Sequence, residues 1–445
     1  MMIKKVIFLA FIGISISNSL ASNFIDLISC VESTLLNNPQ IKKARHDFDA
    51  FKELENQSLA NLLPNIGFSV SRSTVDQKRS DGVNNEINQN YITESDALTL
   101  RQPVYRPGLL KNYKKAQKEV IAEQLLLNEK EDALKLQVVE VYVRILKAYE
   151  EENLLRKRLG LLTEQKRAVS KSIEAGRGTI TELAEINAAH DKAVADLIRA
   201  EQSIKAELNE LRFYTGIEFV GIKKLNKNFR IIDQLKTHNL QYWEERSVTN
   251  NFEIKYQRTK ISAAELGLAS EKFGRYPSID FNIQLSRGSS ESTFFVDTET
   301  QSSSLGLTFF LPLYQGGNVT SKIRQSASLL NSEIEGLRGQ EEDLKKTVQK
   351  IYYGMQENIK LSGALRSAVN SATIELEANK KSAIAGIRRQ LDVLISQQKL
   401  LGVEKELAEA NLNIILYWLN LNKLASNIDT DVLRIANSFL IKSDL

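Results

Sequence analysis

His46, His190 and His238 are the only histidines in the chain, and they lie far apart, without the close spacing that metal sites use. No zinc-protease, phosphate-loop or nucleophile-elbow pattern occurs. Gly176-Arg177-Gly178 is too short to cradle a phosphate and falls at an expected helix turn. Cys30 is the one cysteine, so no internal disulfide framework exists. Leu27-Ile28-Ser29-Cys30 has the outline of a lipoprotein processing site, but it stands well past the apolar leader with Asp26 between. Cys30 therefore reads as a small apolar residue on a helix face. Carboxylates are plentiful, but on helical stretches they form solvated faces. Enzyme chemistry, a cofactor and a metal centre are therefore not expected. The net charge is +4, and lysines and arginines are interleaved with Asp and Glu, which gives no electrostatic case for binding nucleic acid.

The elements around these residues follow from leader, prolines and periodicity. Lys4 and Lys5 precede an apolar run from Val6 to Ile16, and Ser19-Leu20-Ala21 ends on a small residue, which predicts a signal peptide over 1–21. The run is too short to span a bilayer, and no later stretch is apolar enough for a transmembrane helix. No proline occurs from 108 to 276 or after 312. Those stretches are rich in Leu, Glu, Lys, Ala and Gln, which favour helix. Leu127, Leu134, Val138, Val141, Ile145 and Ala148 make an apolar helical stripe. A helix from about Pro107 to Gly176 would run on the order of 100 Å, which implies coiled-coil packing.

Four windows obey period two instead: 65–71, 97–101, 279–286 and 304–313. Ile66, Phe68 and Val70 alternate with small or polar residues, as do Leu98 and Leu100, then Ile279, Phe281, Ile283 and Leu285, then Leu305, Leu307 and Phe309; Phe310 breaks the last set. Strands with one apolar and one wet face suit a transmembrane barrel or a half-buried soluble sheet. The polar linkers Arg72–Asp96 and Arg287–Ser303 read as long exposed loops. The other junctions, from Gln102 to Gly108 and from Leu311 to Gly317, place Tyr105 and Tyr314 where amphipathic rings meet a membrane–water boundary.

The halves of the chain repeat. Pro64-Asn65-Ile66 answers Pro277-Ser278-Ile279 at an offset of 213, Tyr105 answers Tyr314 at 209, and Ala175-Gly176 answers Ala385-Gly386 at 210. The expected organisation is a first repeat over 22–245, with a β-hairpin at about 65–102, a helical hairpin at about 107–211 and an equatorial segment. A second repeat over 246–425 has its β-hairpin at about 278–313 and its helical hairpin at about 318–424, followed by a C-terminal tail over 426–445. Four strands cannot close a barrel, and open edges are not tolerated in lipid. An inserted chain must therefore pool strands with other copies; eight strands are just filled by side chains, whereas twelve from three copies leave a passage.

Leu36-Asn37-Asn38-Pro39, Leu63-Pro64, Leu311-Pro312-Leu313-Tyr314-Gln315-Gly316-Gly317 and the two tip motifs, Ala175 to Leu183 and Ala385 to Leu394, resemble the TolC family of outer-membrane efflux proteins in type and order. The resemblance implies a mixed fold, mostly long helices forming an α-helical barrel, with four strands per chain in a twelve-stranded barrel shared by a homotrimer. It implies location in the outer membrane with the helical part in the periplasm. The implied function is a passive exit channel of a tripartite efflux pump or type I secretion system for drugs, small molecules or proteins. The partners it implies are an inner-membrane ABC or RND-type transporter, a periplasmic adaptor and outer-membrane lipid. By motif position it makes Thr181, Glu182, Arg388 and Asp392 the periplasmic gate. Arg388 would hold Thr181 or Glu182 across the hairpin boundary, and three copies of Asp392 would ring the axis. Ile395 stands where the family has a second acid and Ala383 where it has a tyrosine, so the acidic constriction is thinner and one lock is missing or replaced. Arg177 and Arg389 add positive charge at the tip. The rival expectation is a poreless interaction protein, such as a periplasmic adaptor, which would carry one helical hairpin between β-rich domains.

Overall fold

In the computed structural model, residues 24–80, 86–176, 178–225, 238–292, 295–438 and 440–441 are described. The expected signal peptide and Arg177 lie outside them. From the N-terminus, β1 (Phe24–Ile25), α1 (Leu27–Asn37) and α2 (Pro39–Ala60) lead to a hairpin of β2 (Asn65–Ser80) and β3 (Glu86–Tyr105). Then come α3 (Pro107–Glu174), α4 (Ile180–Thr215), β4 (Gly221–Ile222) and β5 (Lys224–Leu225). The second half repeats the order with α5 (Leu240–Asn250), α6 (Phe252–Lys272), β6 (Ser278–Ser292), β7 (Phe295–Phe310), α7 (Asn318–Ile384) and α8 (Gln390–Leu424). It ends in α9 (Thr430–Ser438) and β8 (Leu440–Ile441).

The duplication extends to single hydrogen bonds. Asn38 breaks α1 from α2, accepting from the Gln40 N–H at 2.8 Å and donating to the Tyr214 carbonyl at the end of α4. Asn251 breaks α5 from α6 in the same way, accepting from the Glu253 N–H at 2.9 Å and donating to the Leu424 carbonyl at the end of α8. Each asparagine caps one helix and ties it to a returning long helix. α5 opens at Leu240 and runs through the expected division at 245/246.

α3 and α7, of 68 and 67 residues, each run about 100 Å. α2 and α6 pack on their first halves, and α4 and α8 on their last halves. The main core therefore sits at mid-length. Val138, Tyr142 and Ile145 of α3 meet Leu211 of α4, Met355 of α7, Leu412 and Leu419 of α8, and Trp243 of α5 there. The stripe from Leu127 to Ile145 is buried and Ala148 is half-buried against the same core. Cys30 is wholly buried in this layer, and burial pushes its thiol above the ordinary range. The expected C-terminal tail is part of this belt as well. Val432, Leu433 and Ala436 of α9 are buried, and β8 pairs antiparallel with β5.

Asp26 fixes the first turn of α1, accepting from the Ser29 N–H at 2.9 Å while Lys223 pairs with its other oxygen at 2.9 Å. Burial alone would raise this carboxyl, but those donors overcome it and hold its pKa at about 2.

The strands form one antiparallel sheet in the order β2-β3-β6-β7, leaving β2 and β7 with open edges. The expected loops Arg72–Asp96 and Arg287–Ser303 are mostly strand. Pairing continues to Ser80 opposite Glu86 and to Ser292 opposite Phe295. Ser, Thr, Asn and charged residues continue a ladder once its register is set, because the backbone bonds do not depend on side-chain polarity. β3, of 20 residues, thus extends roughly 65 Å.

Candidate functional site

The sheet presents two faces of opposite character. On one face Ile66, Leu100, Ile283 and Leu305 lie side by side. Phe68, Leu98 and Leu285 form the neighbouring row, Phe281 and Leu307 the row on the other side, and Ile279 and Phe309 the last. Among the described residues no helix covers this face in the protomer: Phe68, Leu305, Leu307 and Phe309 are exposed. The opposite face carries Asn65, Arg101 and Asn282, then Thr99, Gln284 and Ser304, then Ser69, Ser286 and Ser302. Asn282 donates to Thr308 at 3.1 Å and Ser286 meets Ser302 at 2.7 Å. Phe310 shares the wet face, but only as the last pair of the ladder, opposite Ser278.

The apolar rows span Ile279 to Leu285, roughly 20 Å of strand. Charge then takes over on the same face. Asp96 opposes Arg287, Arg72 pairs with Glu94 at 3.2 Å, and Arg287 pairs with Glu299. At the other end, Tyr105 is 43% exposed opposite Ile279, and Tyr314, beyond β7, is 88% exposed. The rings thus stand where the apolar rows end and the long helices begin.

The junction also holds a cluster that residue spacing did not single out. Buried Asp280 on β6 accepts from Arg101 at 3.0 Å and from Arg106 Nε at 2.8 Å. Arg106 is the residue before α3, so one carboxylate ties the second repeat's sheet to the first repeat's long helix. The sequence shows only that Asp280 is the one acid in the otherwise neutral alternating run 279–286; its arginine partners lie nearly 180 residues away.

Polar bonds join the two helical hairpins along the seam between α3 and α8. Lys423 meets Glu129 at 2.9 Å, Lys147 meets Asn413 at 2.8 Å, Lys405 meets Glu151 at 2.7 Å, and Gln165 meets Gln397 at 3.3 Å. Burial lowers the Lys147 ammonium pKa, while the hydrogen bond that Lys405 donates to Glu151 raises that of Lys405. Nearer the turns, Leu162 of α3, Ala193 of α4 and Leu394 of α8 make a small apolar cluster. α8 is therefore clamped to the first hairpin close to its own start.

The two turns are built alike. Gly176 and Gly386 take positive φ of 69° and 78°, which a side chain would resist. The Gly178 N–H donates to the Ser172 carbonyl and the Ile387 N–H to the Ser382 carbonyl, closing each helix end. Thr179 and Glu182 form a capping box, so Glu182 has a local structural task beside exposed Thr181. Asp392 accepts from the Arg389 N–H at 3.2 Å at the start of α8, and Arg388 is exposed in the turn. Within the protomer no described hydrogen bond or ion pair joins Thr181 or Glu182 to Arg388 or Asp392. The turns are also apolar at their extremity, where Ile180, Ile384 and Ile387 are exposed.

The sequence pattern of the outer membrane efflux protein family matches residues 30–217 and 244–427. The proteases secretion protein PrtF of Dickeya chrysanthemi is 25% identical over 428 residues, covering 93% of this chain and 91% of the relative. Outer membrane protein TolC of Escherichia coli K12 is 23% identical over 445 residues, covering 97% and 88%. Among solved structures, the Campylobacter jejuni CmeC outer membrane channel superposes with a TM-score of 0.77 at 15% identity, covering 95% of this chain and 90% of that one.

Proposed function

The chain belongs to the outer membrane efflux protein family, and from that premise we propose that three copies form an exit channel whose sheets close into one twelve-stranded barrel. The observation that carries this reading is the four-stranded sheet with an exposed apolar face, a wet face and two open edges. An open edge in lipid leaves backbone donors and acceptors without partners, so β7 of one copy pairs with β2 of the next. The apolar rows face lipid and the rows of Ser, Thr, Asn and Gln face water. Tyr105 and Tyr314 sit at the periplasmic boundary of the bilayer. The strand ends beyond Asp96 and Arg287 project past the outer surface. The helical hairpins continue as a tube into the periplasm.

At the tip, Arg388 of one copy reaches Thr181 or Glu182 of its neighbour, and Asp392 lines the narrowest point. The channel performs no chemistry and is passive. An inner-membrane ABC or RND-type transporter supplies energy and cargo, and a periplasmic adaptor joins the two. The likeness to a protease secretion protein supports protein cargo, and the efflux family name supports small molecules; the transporter partner decides between them. The adaptor reading needs a single hairpin between β-rich domains, whereas this chain has two hairpins and one four-stranded sheet. The test is reconstitution into planar bilayers with outer-membrane fractionation. Discrete trimer-dependent conductance steps are expected. A soluble product that leaves bilayers silent rejects the reading.

A further inference from the structure

Below the apolar rows, where the strands give way to the long helices, the protein carries a basic band. The first turns of α3 and α7 contain no acid. On α3, Lys111, Lys114 and Lys118 follow at helical spacing and share a face with Leu110 and Ile121, which are exposed. The flanks of α3 are occupied: Tyr113 and Gln117 donate to Glu55 of α2, and Lys115 lies along Gly267 of α6 and pairs with Glu119 at 3.4 Å. Asn112, Glu119 and Glu123 share another, wholly polar face, as a water-filled interior requires. Among the described residues no carboxylate pairs with Lys111, Lys114 or Lys118. A half-open cavity of about 320 Å³ lies in the same band, where β7 passes into α7. Arg275, ending the 3-10 turn after α6, reaches across it to donate to Thr320 Oγ1 at 3.1 Å, its one described side-chain partner. Pro312, Leu313 and Tyr314 supply the apolar side. Exposed Arg324 follows Thr320 by one turn on the same face of α7, with no described partner. Of the acids at this level, Glu55 and Glu119 are engaged as above, and Asp280 is held by Arg101 and Arg106.

We propose that this band holds the headgroup phosphates of an anionic phospholipid, of the phosphatidylglycerol class, in the periplasmic leaflet. Arg275 and Arg324 take a phosphate at the cavity with the Thr320 hydroxyl, and Lys111 and Lys114 take another beside α3. The band continues the lipid-facing surface, since Tyr105 and Tyr314 mark the end of the apolar rows immediately above it. Lys111 stands about 6 Å along α3 and Arg324 about 9 Å along α7, so their charged ends reach headgroup level while the stems cover apolar surface. A guanidinium offers a phosphate two parallel N–H donors, which suits Arg275 at the cavity. Lys118, about 16 Å along α3, adds only to the field. The inference rests on the bilayer boundary proposed above and adds the lipid class that the boundary selects.

The test reconstitutes the full-length protein into phosphatidylcholine vesicles carrying a trace of spin-labelled phosphatidylglycerol or, in a matched sample, spin-labelled phosphatidylcholine. The motionally restricted share of each label gives its relative affinity for the protein surface. A preference of about fivefold for phosphatidylglycerol is expected, the weight of one basic side chain at an anionic surface. Arg275→Gln with Arg324→Gln should lower it, and adding Lys111→Gln and Lys114→Gln should bring it toward parity. Lys346→Gln with Lys350→Gln, more than about 40 Å along α7, should leave it unchanged. Equal affinity for the two lipids in protein that co-floats with the vesicles, an unchanged preference in the fourfold variant, or an equal loss in the distant pair would each overturn the proposal. Failure to co-float with the vesicles at all would remove the bilayer boundary, and the proposal with it. Should the fourfold variant fail to assemble, Arg324→Gln alone decides it, and an unchanged preference there overturns the proposal equally.

Discussion

Leu305 and Ser304 are adjacent in β7, yet their side chains fall on opposite faces of the sheet. Replacing each with arginine separates the lipid-facing reading from a general intolerance of charge. Leu305 lies in the middle apolar row with Ile66, Leu100 and Ile283, and is 73% exposed in the protomer. An arginine at the bilayer midplane costs about 2–4 kcal/mol. Loss of the leucine removes about 1–2 kcal/mol more, from the roughly 1.5–3 kcal/mol of a fully buried leucine scaled by its exposed share. Leu305→Arg should therefore cost about 3–6 kcal/mol per copy, threefold that in a trimer, and insertion should fail. Ser304→Arg adds a charge beside Gln284 on the wet face and should cost less than about 1 kcal/mol. Outer-membrane yield and heat-modifiable gel mobility of the two variants report the difference. Equal assembly of both, or failure of Ser304→Arg alone, would refute the assignment of faces.

Asp26 is depressed from 3.8 to about 2, so its contribution of about 2 kcal/mol is present above pH 4 and is lost as pH falls through 2. Denaturant unfolding of Asp26→Ala should be weaker by that amount at pH 7 and converge with the unaltered protein near pH 2; a constant gap across that range counts against the pairing. Gly216 closes α4 at φ 65°, and a Cβ there would lie 3.0 Å from Asn37 Cβ, so Gly216→Ala should lose about 1–2 kcal/mol in thermal unfolding. Asp392→Asn keeps an acceptor for the Arg389 N–H and removes the charge, so cation preference in the reversal potential should fall while stability stays within about 0.5 kcal/mol. An unchanged reversal potential removes Asp392 from the lining of the tip.

The long helices were legible because their apolar stripe repeats over many turns and no proline interrupts them. The four strands were legible only where one face is apolar. Beyond Arg72 and Arg287 both faces are polar, so alternation fades although the ladder continues. The buried Val432 and Leu433 of α9 were hidden for a related reason, since a nine-residue helix gives too few turns for its stripe to stand out. Asp280 with Arg101 and Arg106 depends on partners nearly 180 residues apart, and period alone carries no pairing information at that separation. The tip residues came from motif position. In the protomer they show capping tasks for Glu182 and Asp392, and no described hydrogen bond or ion pair joins Arg388 to Thr181 or Glu182.

The central claim is that two unsatisfied sheet edges are closed by neighbouring copies. Cysteines placed on the outer β2 and β7 strands, at Ser69 and Ser302, pose the question directly once buried Cys30 is replaced by alanine. Oxidation in the native outer membrane, followed by denaturing electrophoresis, should yield a covalent ladder ending at three chains, with each single-cysteine control remaining monomeric. A product that stays at one chain under conditions that oxidise accessible thiols, or a ladder that ends at two, would contradict the account.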